Sequence, residues 1–297
     1  MKLNDLEGFA IDLGGTKVIA ARIVAGEVVA REITQTIGSD GPHAQVDAMA
    51  RIARKIGYLK GEPLGVAVAG RIDAQGHWHA VNARTLSAIS SVPLADLIAA
   101  ELGPVNCLND AAAAALAEAR FGAGKGITNF AFLTVSTGIG GGLVLMGRLL
   151  TSPSGLAGHV GFATAQGATS NACGSGRKNT VESIAGGQAM ALVASDRGID
   201  ARAICAAALR GEAWAEAIVE NSAQAVGTLI ADLTAILGLQ GVAIGGSIGL
   251  SDGYIDRVRR FLDAEPPLFR VPVQAARLGA NAPLFGALLA RLDEEGK

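Results

Sequence analysis

The sequence predicts an α/β protein laid out twice on one plan, and three observations predict it. Apolar, strand-like runs end in glycine clusters three times: Gly8 to Leu13 runs into Gly14-Gly15-Thr16, Phe130 to Val135 into Ser136 to Gly142, and Gly241 to Ile244 into Gly245-Gly246-Ser247. Between them lie stretches with the 3.6-residue apolar spacing of helices. The first and second clusters share an order of apolar strand, glycine turn and second strand, which reads as an internal duplication.

Taken in order, the chain begins with three strands, Gly8 to Leu13, Val18 to Val24 and about Val28 to Ile33. Residues 44–57 place Val46, Met49, Ile52, Ala53 and Ile56 on one helical face. A strand at Leu64 to Ala69, a turn at Gly76, a helix at Leu94 to Leu102 and an extended run at Pro104 to Leu108 follow. Asn109-Asp110 then opens an alanine-rich helix, Ala111 to Phe121, where either residue suits a helix cap. After Phe130 to Val135 and its turn comes a strand at Leu143 to Met146. Residues 152–180 have little periodicity, and 181–238 are mostly helical by their alanine and leucine content. The strand Gly241 to Ile244 and a terminal helix, Pro283 to Leu292, complete the reading. No Pro-rich or charged linker separates the halves, so two closely joined domains are expected, 1–110 with the terminal segment 283–297, and 111–282.

Composition excludes several classes. Half of the 297 residues are hydrophobic, enough for sizeable cores and too many for a disordered chain. A net charge of −2 without long runs of one sign suggests neither nucleic acid nor a membrane surface as partner. No segment reads as a signal peptide or a membrane span, so a soluble, cytoplasmic protein is expected. Cys107, Cys173 and Cys205 are widely spaced and odd in number, which fits a reducing compartment.

Glycine removes the Cβ that keeps a backbone away from phosphate oxygens, so the glycine turns are candidate phosphate cradles. A single Gly-Gly turn is more often a plain hairpin. Three in one chain, the first carrying Asp12 and Lys17, point to a nucleotide. None fits the P-loop or the dinucleotide fingerprint. Asp12, at a strand end, is placed to hold Mg²⁺ through water, although it also suits a turn cap.

The stretches 10–17 (AIDLGGTK), 109–110 (ND), 134–142 (TVSTGIGGG), 155–159 (GLAGH) and 243–247 (AIGGS) resemble, in order, the motifs of the ROK group of sugar kinases and repressors, within the actin, hexokinase and heat-shock ATPase superfamily. The resemblance implies two ribonuclease-H-like α/β domains around a central cleft, with ATP on one side and a sugar at the hinge. By it, Asp110 is the general base on the sugar hydroxyl, and Gly70, Asn82, Asn109, His159 and Glu182 bind the sugar. Asp12, Gly14, Gly15, Thr16 and Lys17, with Thr137, Gly138, Gly140 and Gly141, face the phosphates, and Gly245 and Gly246 border adenosine. ATP and Mg²⁺ are the implied cofactors, and a homodimer is compatible with the resemblance. Within the group, the stretches 109–118, 149–159 and 245–254 are most similar to bacterial N-acetylmannosamine kinases, which implies formation of N-acetylmannosamine 6-phosphate in sialic acid breakdown.

The chain also departs from the group. Most members hold a structural zinc through one histidine and three cysteines, whereas this chain offers only His159 and Cys173, with Asn171 in place of the first cysteine. A closed zinc site takes four ligands, so none is expected here. The run from Gly174 to Glu182 is longer than in the group, and the match of Glu182 rests on residues 181–187. Ala157 stands where related glucokinases carry a glutamate, which disfavours a glucokinase. A ROK repressor needs a DNA-binding domain ahead of the first glycine turn, and an actin-like filament or chaperone has no use for Asn109-Asp110 and His159.

Overall fold

The computed structural model describes residues 1–36, 39–82, 86–167 and 173–295, and the Asn171 reading falls outside them. The chain starts with β1 (Gly8–Leu13), β2 (Lys17–Val24), β3 (Glu27–Gln35), α1 (Pro42–Lys55), β4 (Leu64–Val68), β5 (Arg71–Ile72), β6 (His77–His79), β7 (Val92–Pro93), α2 (Leu94–Leu102), β8 (Asn106–Asn109) and α3 (Asp110–Phe121). It continues with β9 (Phe130–Val135), β10 (Ile139–Leu145), β11 (Arg148–Leu149), α4 (Val181–Ala185), α5 (Gly187–Val193), α6 (Ala201–Leu209), α7 (Ala213–Leu237), β12 (Gly241–Gly245), α8 (Tyr254–Ala264), β13 (Val273–Ala275) and α9 (Ala282–Glu295).

Two five-stranded sheets have the orders β3-β2-β1-β4-β8 and β11-β10-β9-β12-β13. In each, the first strand pairs antiparallel with the hairpin strand after it and parallel with the strand that follows a helical crossover. The duplication read from the glycine turns is therefore a duplication of topology. Parallel central strands covered on both faces should be apolar throughout rather than alternating, and β1, β4, β9 and β12 are buried along nearly their whole length.

The chain divides into two compact units, one of residues 1–121, 149–157 and 280–297, the other of residues 122–148 and 158–279. This differs from the expected boundary after residue 110. Helix α3 stays with the first unit because its alanine face lies directly on α9, where a Cβ on Gly286 would overlap the Ala113 carbonyl. On the neighbouring strand, a Cβ on Gly65 would overlap the backbone of Ala287, so small residues let α9 sit against both α3 and β4. Residues 149–157 belong to the first unit as a strap. Ala74 donates to the Pro153 carbonyl at 3.0 Å and Arg71 to the Ser154 carbonyl at 2.5 Å.

Within the first core, Ile11, Leu13, Val66 and Val68 meet Met49, Ile52 and Ile98 from α1 and α2. In the second, Leu133, Val135 and Ile244 meet Ile184, Val226 and Ile230. The glycine run after β9 is corrected in one respect. The turn is Ser136 to Gly138, and Gly140 and Gly141 lie inside β10, paired with Thr134 and Leu133. Gly141 is small for packing reasons, since a Cβ there would press on Val160 and on the carbonyls of Gly158 and Phe132.

Candidate active site

In the first unit, β8 turns into α3 at Asn109 and Asp110. The Asn109 side chain does three things at once. Its oxygen accepts the amide of Ala112 at 3.0 Å, the bond of an N-cap. Its nitrogen donates to the Gly70 carbonyl at 2.7 Å and to Asp110 Oδ1 at 2.9 Å. Asp110 Oδ1 also accepts the Ala111 amide at 2.8 Å. The cap that starts the helix thus orients the carboxylate at its first position. Burial raises the Asp110 pKa, against the lowering effect of these two bonds.

Gly70 has φ +106°, and a Cβ there would overlap the His79 carbonyl and crowd Trp78, so the peptide Asn109 reads requires glycine. Asp12 lies on β1 beside this group. Its pKa is raised to about 7, first by burial, next by the negative charge of Asp110, with Lys17 opposing. A buried carboxylate raised by a neighbouring carboxylate is eased by a cation or a proton. In the turn that follows, Gly14 donates to the Lys17 carbonyl at 2.9 Å, and its own carbonyl accepts the Thr36 hydroxyl at 2.9 Å. Thr16 and Lys17 are exposed, and Gly15 lies between them and Gly14. The Asn82 carbonyl accepts the Leu86 amide at 3.3 Å, across residues 83–85 that are not described.

A mostly apolar cavity of about 440 Å³ in the first unit has Asn109 and Ala112 in its wall, with Ile72 at the end of β5, Asp73 just after it, and Leu149, Pro153 and Ala157 from the strap. Asp73 was not singled out from sequence. It accepts the Gln75 and His77 amides on Oδ1 and pairs with His79 Nε2 at 2.8 Å, and the bond to His79 chiefly lowers its pKa, to about 2. It fixes the wall of the cavity rather than supplying a base.

In the second unit, Ile248 and Gly249 both donate to the Val135 carbonyl at 3.0 Å, which sets the turn after β12 against the turn after β9. A Cβ on Gly246, at φ +86°, would overlap that same carbonyl, and one on Gly245 would meet the Phe132 ring at 2.9 Å. A cavity of about 330 Å³ lies here, lined by Ser136, Thr137, Gln188, Asp200, Arg202 and Ser247 among others. Gln188, Asp200 and Arg202 have no part in the sequence reading; Asp200 caps α6, accepting the Ala203 amide at 2.9 Å.

Glu182, expected at the sugar, has its two carboxylate oxygens on backbone amides of Ile139 at 3.0 Å and Gly174 at 3.2 Å. His159 stacks on Phe162, with centroids 5.9 Å apart. Cys173 is buried with Sγ 2.8 Å from the Ser175 hydroxyl, and its turn closes through the Arg177 and Cys173 carbonyls. Among the described residues, no three His, Cys, Asp or Glu side chains come together to hold a metal ion, and no helix is long and apolar enough to cross a membrane.

Residues 8–293 match the model of the ROK family. The N-acetylmannosamine kinase of Shigella boydii serotype 18 is 40% identical over 285 residues, covering 94% of this chain and 96% of that protein. The N-acetylmannosamine kinase of Pasteurella multocida is 37% identical over 282 residues, covering 94% of each. Among solved structures, the ROK hexokinase from Thermus thermophilus superposes with a TM-score of 0.79 at 32% identity, over 97% of this chain and 99% of that one. The two-unit α/β architecture of the actin and hexokinase kind is thus shared along almost the entire length, and the chain belongs to the ROK family.

Proposed function

We propose that the protein is an ATP-dependent N-acetylmannosamine kinase that transfers the γ-phosphoryl group of ATP to the 6-hydroxyl of the sugar, with Asp110 as general base. The observation that carries this reading is the geometry at β8 and α3. A carboxylate whose pKa is raised by burial is held at one oxygen by Asn109 and Ala111, beside a cavity that shares Asn109 as a wall. A base with a raised pKa takes the hydroxyl proton as the oxygen attacks phosphorus, and the same cap that fixes the carboxylate fixes its aim.

Mg²⁺, bound with the triphosphate, supplies charge neutralisation at the phosphates. The donor set fits it. The charge of Asp110 adds to the cost of ionising the buried Asp12, and a dication there would remove that cost, so Asp12 is the residue to hold the ion through water. Gly14, Gly15, Thr16 and Lys17, with Thr137 and Gly138, face the phosphates, and Gly245, Gly246 and the cavity beside Thr137 take adenosine. Gly70, Asn82, Asn109 and His159 serve the sugar. Structural zinc has no place in this reading, because the Cys173 turn closes through its own hydrogen bonds.

The choice of sugar rests on the relatives' substrate and on Ala157. Its side chain is a single methyl in the wall of a mostly apolar cavity, which leaves space suited to an acetamido group and puts no carboxylate at that position. The reaction belongs to sialic acid breakdown in the cytoplasm, with a homodimer as the assembly the family likeness favours. A coupled ADP-release assay across N-acetylmannosamine, N-acetylglucosamine, glucose, mannose and fructose tests it. The highest kcat/KM is expected for N-acetylmannosamine. A preference for glucose would keep a ROK kinase and overturn the sugar.

A further inference from the structure

The chain bends between β4 and β5 at Ala69 and Gly70, and this bend adjoins the proposed base. Ala69 is held on both sides. Its amide donates to the carbonyl of Leu13, next to Asp12 on β1, at 2.8 Å, and its carbonyl accepts the indole N–H of Trp78 at 2.9 Å. Gly70 follows at φ +106°, and its carbonyl accepts Asn109 Nδ2 at 2.7 Å. A Cβ on Gly70 would stand 3.1 Å from Trp78 Nε1 and would overlap the His79 carbonyl, so β6 lies directly on the bend.

Trp78 is itself firmly placed. Its side chain is completely buried in the first core, and its backbone pairs with Ile72 on β5 and Val92 on β7. On either side of it, Asp73 accepts the His77 amide at 2.9 Å and pairs with His79 Nε2 at 2.8 Å, which closes the turn between β5 and β6. A buried indole N–H needs an acceptor, and this one takes the carbonyl just before the peptide that Asn109 reads. From there the line runs through Asn109, whose nitrogen meets the Gly70 carbonyl and Asp110 Oδ1 while its oxygen takes the Ala112 amide. A shift of the Gly70 carbonyl therefore turns the Asn109 amide and releases Asp110 Oδ1.

We infer that Trp78 is a positioning residue for the base: its indole N–H fixes the bend at Ala69 and Gly70, the Gly70 carbonyl sets the Asn109 amide, and Asn109 aims Asp110. This rests on the kinase reading with Asp110 as base and not on the identity of the sugar. Trp78 acts only through Asn109 and Asp110, so its N–H serves turnover and not nucleotide binding. A small misplacement of a reacting group costs rate out of proportion to its cost in stability.

The test is a double-substitution cycle on the full-length protein, with kcat measured on whichever sugar gives the highest kcat/KM in the ADP-release panel and MgADP titrated calorimetrically. Trp78→Phe keeps an aromatic ring in the core and removes the N–H. It is expected to lower kcat by roughly tenfold, with the Kd for MgADP within about twofold of wild type. Asn109→Ala breaks the line downstream, so adding Trp78→Phe to it should lower kcat by less than about twofold further. Ile98→Ala, a cut in the same core that removes no polar group, should melt lower and keep kcat within about twofold of wild type. If Trp78→Phe does not fold, benzothienylalanine incorporated at position 78, with sulfur in place of the indole N–H and nearly the same outline, carries the cycle in its stead. Losses that multiply in the double variant, or wild-type kcat in the single one, would overturn the inference and leave Trp78 a core residue with a satisfied N–H. A wild-type protein that phosphorylates none of the sugars would overturn the kinase reading, and the inference with it.

Discussion

In the first unit the strand that enters the glycine turn carries Asp12, two residues before Gly14. In the second the corresponding strand carries Thr134, two residues before Ser136. The sheets around them have the same order, yet the first turn is flanked by Asp12, Lys17 and Asp110, while the second is bounded by peptide groups, small residues and Glu182. One duplicated plan thus carries two kinds of surroundings. A charged strand end suits proton transfer and a metal, where a pKa must be tuned. A neutral turn suits a polyanion, where fixed N–H dipoles attract without a counter-charge to desolvate.

The largest effect expected on the charged side comes from Asp110→Asn. It should keep the fold and cut kcat by roughly 10²–10⁴-fold, the range for loss of a positioned general base. Near wild-type turnover in a folded variant would reduce Asp110 to part of the helix start. Asn109→Ala sharpens the same point, since it removes the cap, costing about 1 kcal/mol of stability, together with the bond that aims the carboxylate.

Asp12 separates stability from activity. Its folded pKa of about 7 lies above the value of 3.8 it has when exposed, so between these values the folded state holds a proton the unfolded state has lost. Stability from this group is full below pH 4 and falls as pH rises to 7, by on the order of 1–3 kcal/mol after solvent screening. Asp12→Asn is therefore expected to melt higher than wild type at pH 8, to differ little at pH 4, and to turn over more slowly. The same titration predicts that wild-type kcat/KM falls below pH 7. Equal melting at pH 8 would remove the charge conflict from the account.

Smaller effects test the cavity and the loop. Ala157→Glu should lower the ratio of kcat/KM for N-acetylmannosamine to that for glucose by about tenfold, through lost room for one and a new acceptor for the other. An unchanged ratio would make Ala157 a packing residue only. Tag-free protein is expected to contain far less than one zinc per chain and to melt at the same temperature with a chelator present. Stoichiometric zinc would contradict this.

Much of this was legible before any coordinates. The span of α2 could be read to the residue because Pro93 and Gly103, at φ +98°, bracket it. Helix α8 has no counterpart in the sequence reading although Tyr254, Val258 and Leu262 repeat every four residues, because its start at Gly253 follows directly on a glycine-rich turn. Gly140 and Gly141 read as loop, yet pairing with Thr134 and Leu133 holds them in β10, where cross-strand bonds outweigh glycine's weak strand preference. The triple use of Asn109 and the backbone bonds of Glu182 were not legible. They depend on Gly70 and Gly138, residues distant in sequence that act by lacking a side chain.

The division of labour between the two turns is tested most directly by titrating ADP into folded Asp110→Asn protein whose turnover has been measured in the same preparation. The account predicts a Kd for ADP within about twofold of wild type beside a turnover loss of at least roughly 100-fold, because the proposed role of Asp110 is to take the hydroxyl proton and not to hold the nucleotide. Loss of ADP binding in step with turnover, in a protein that melts like wild type, would contradict it.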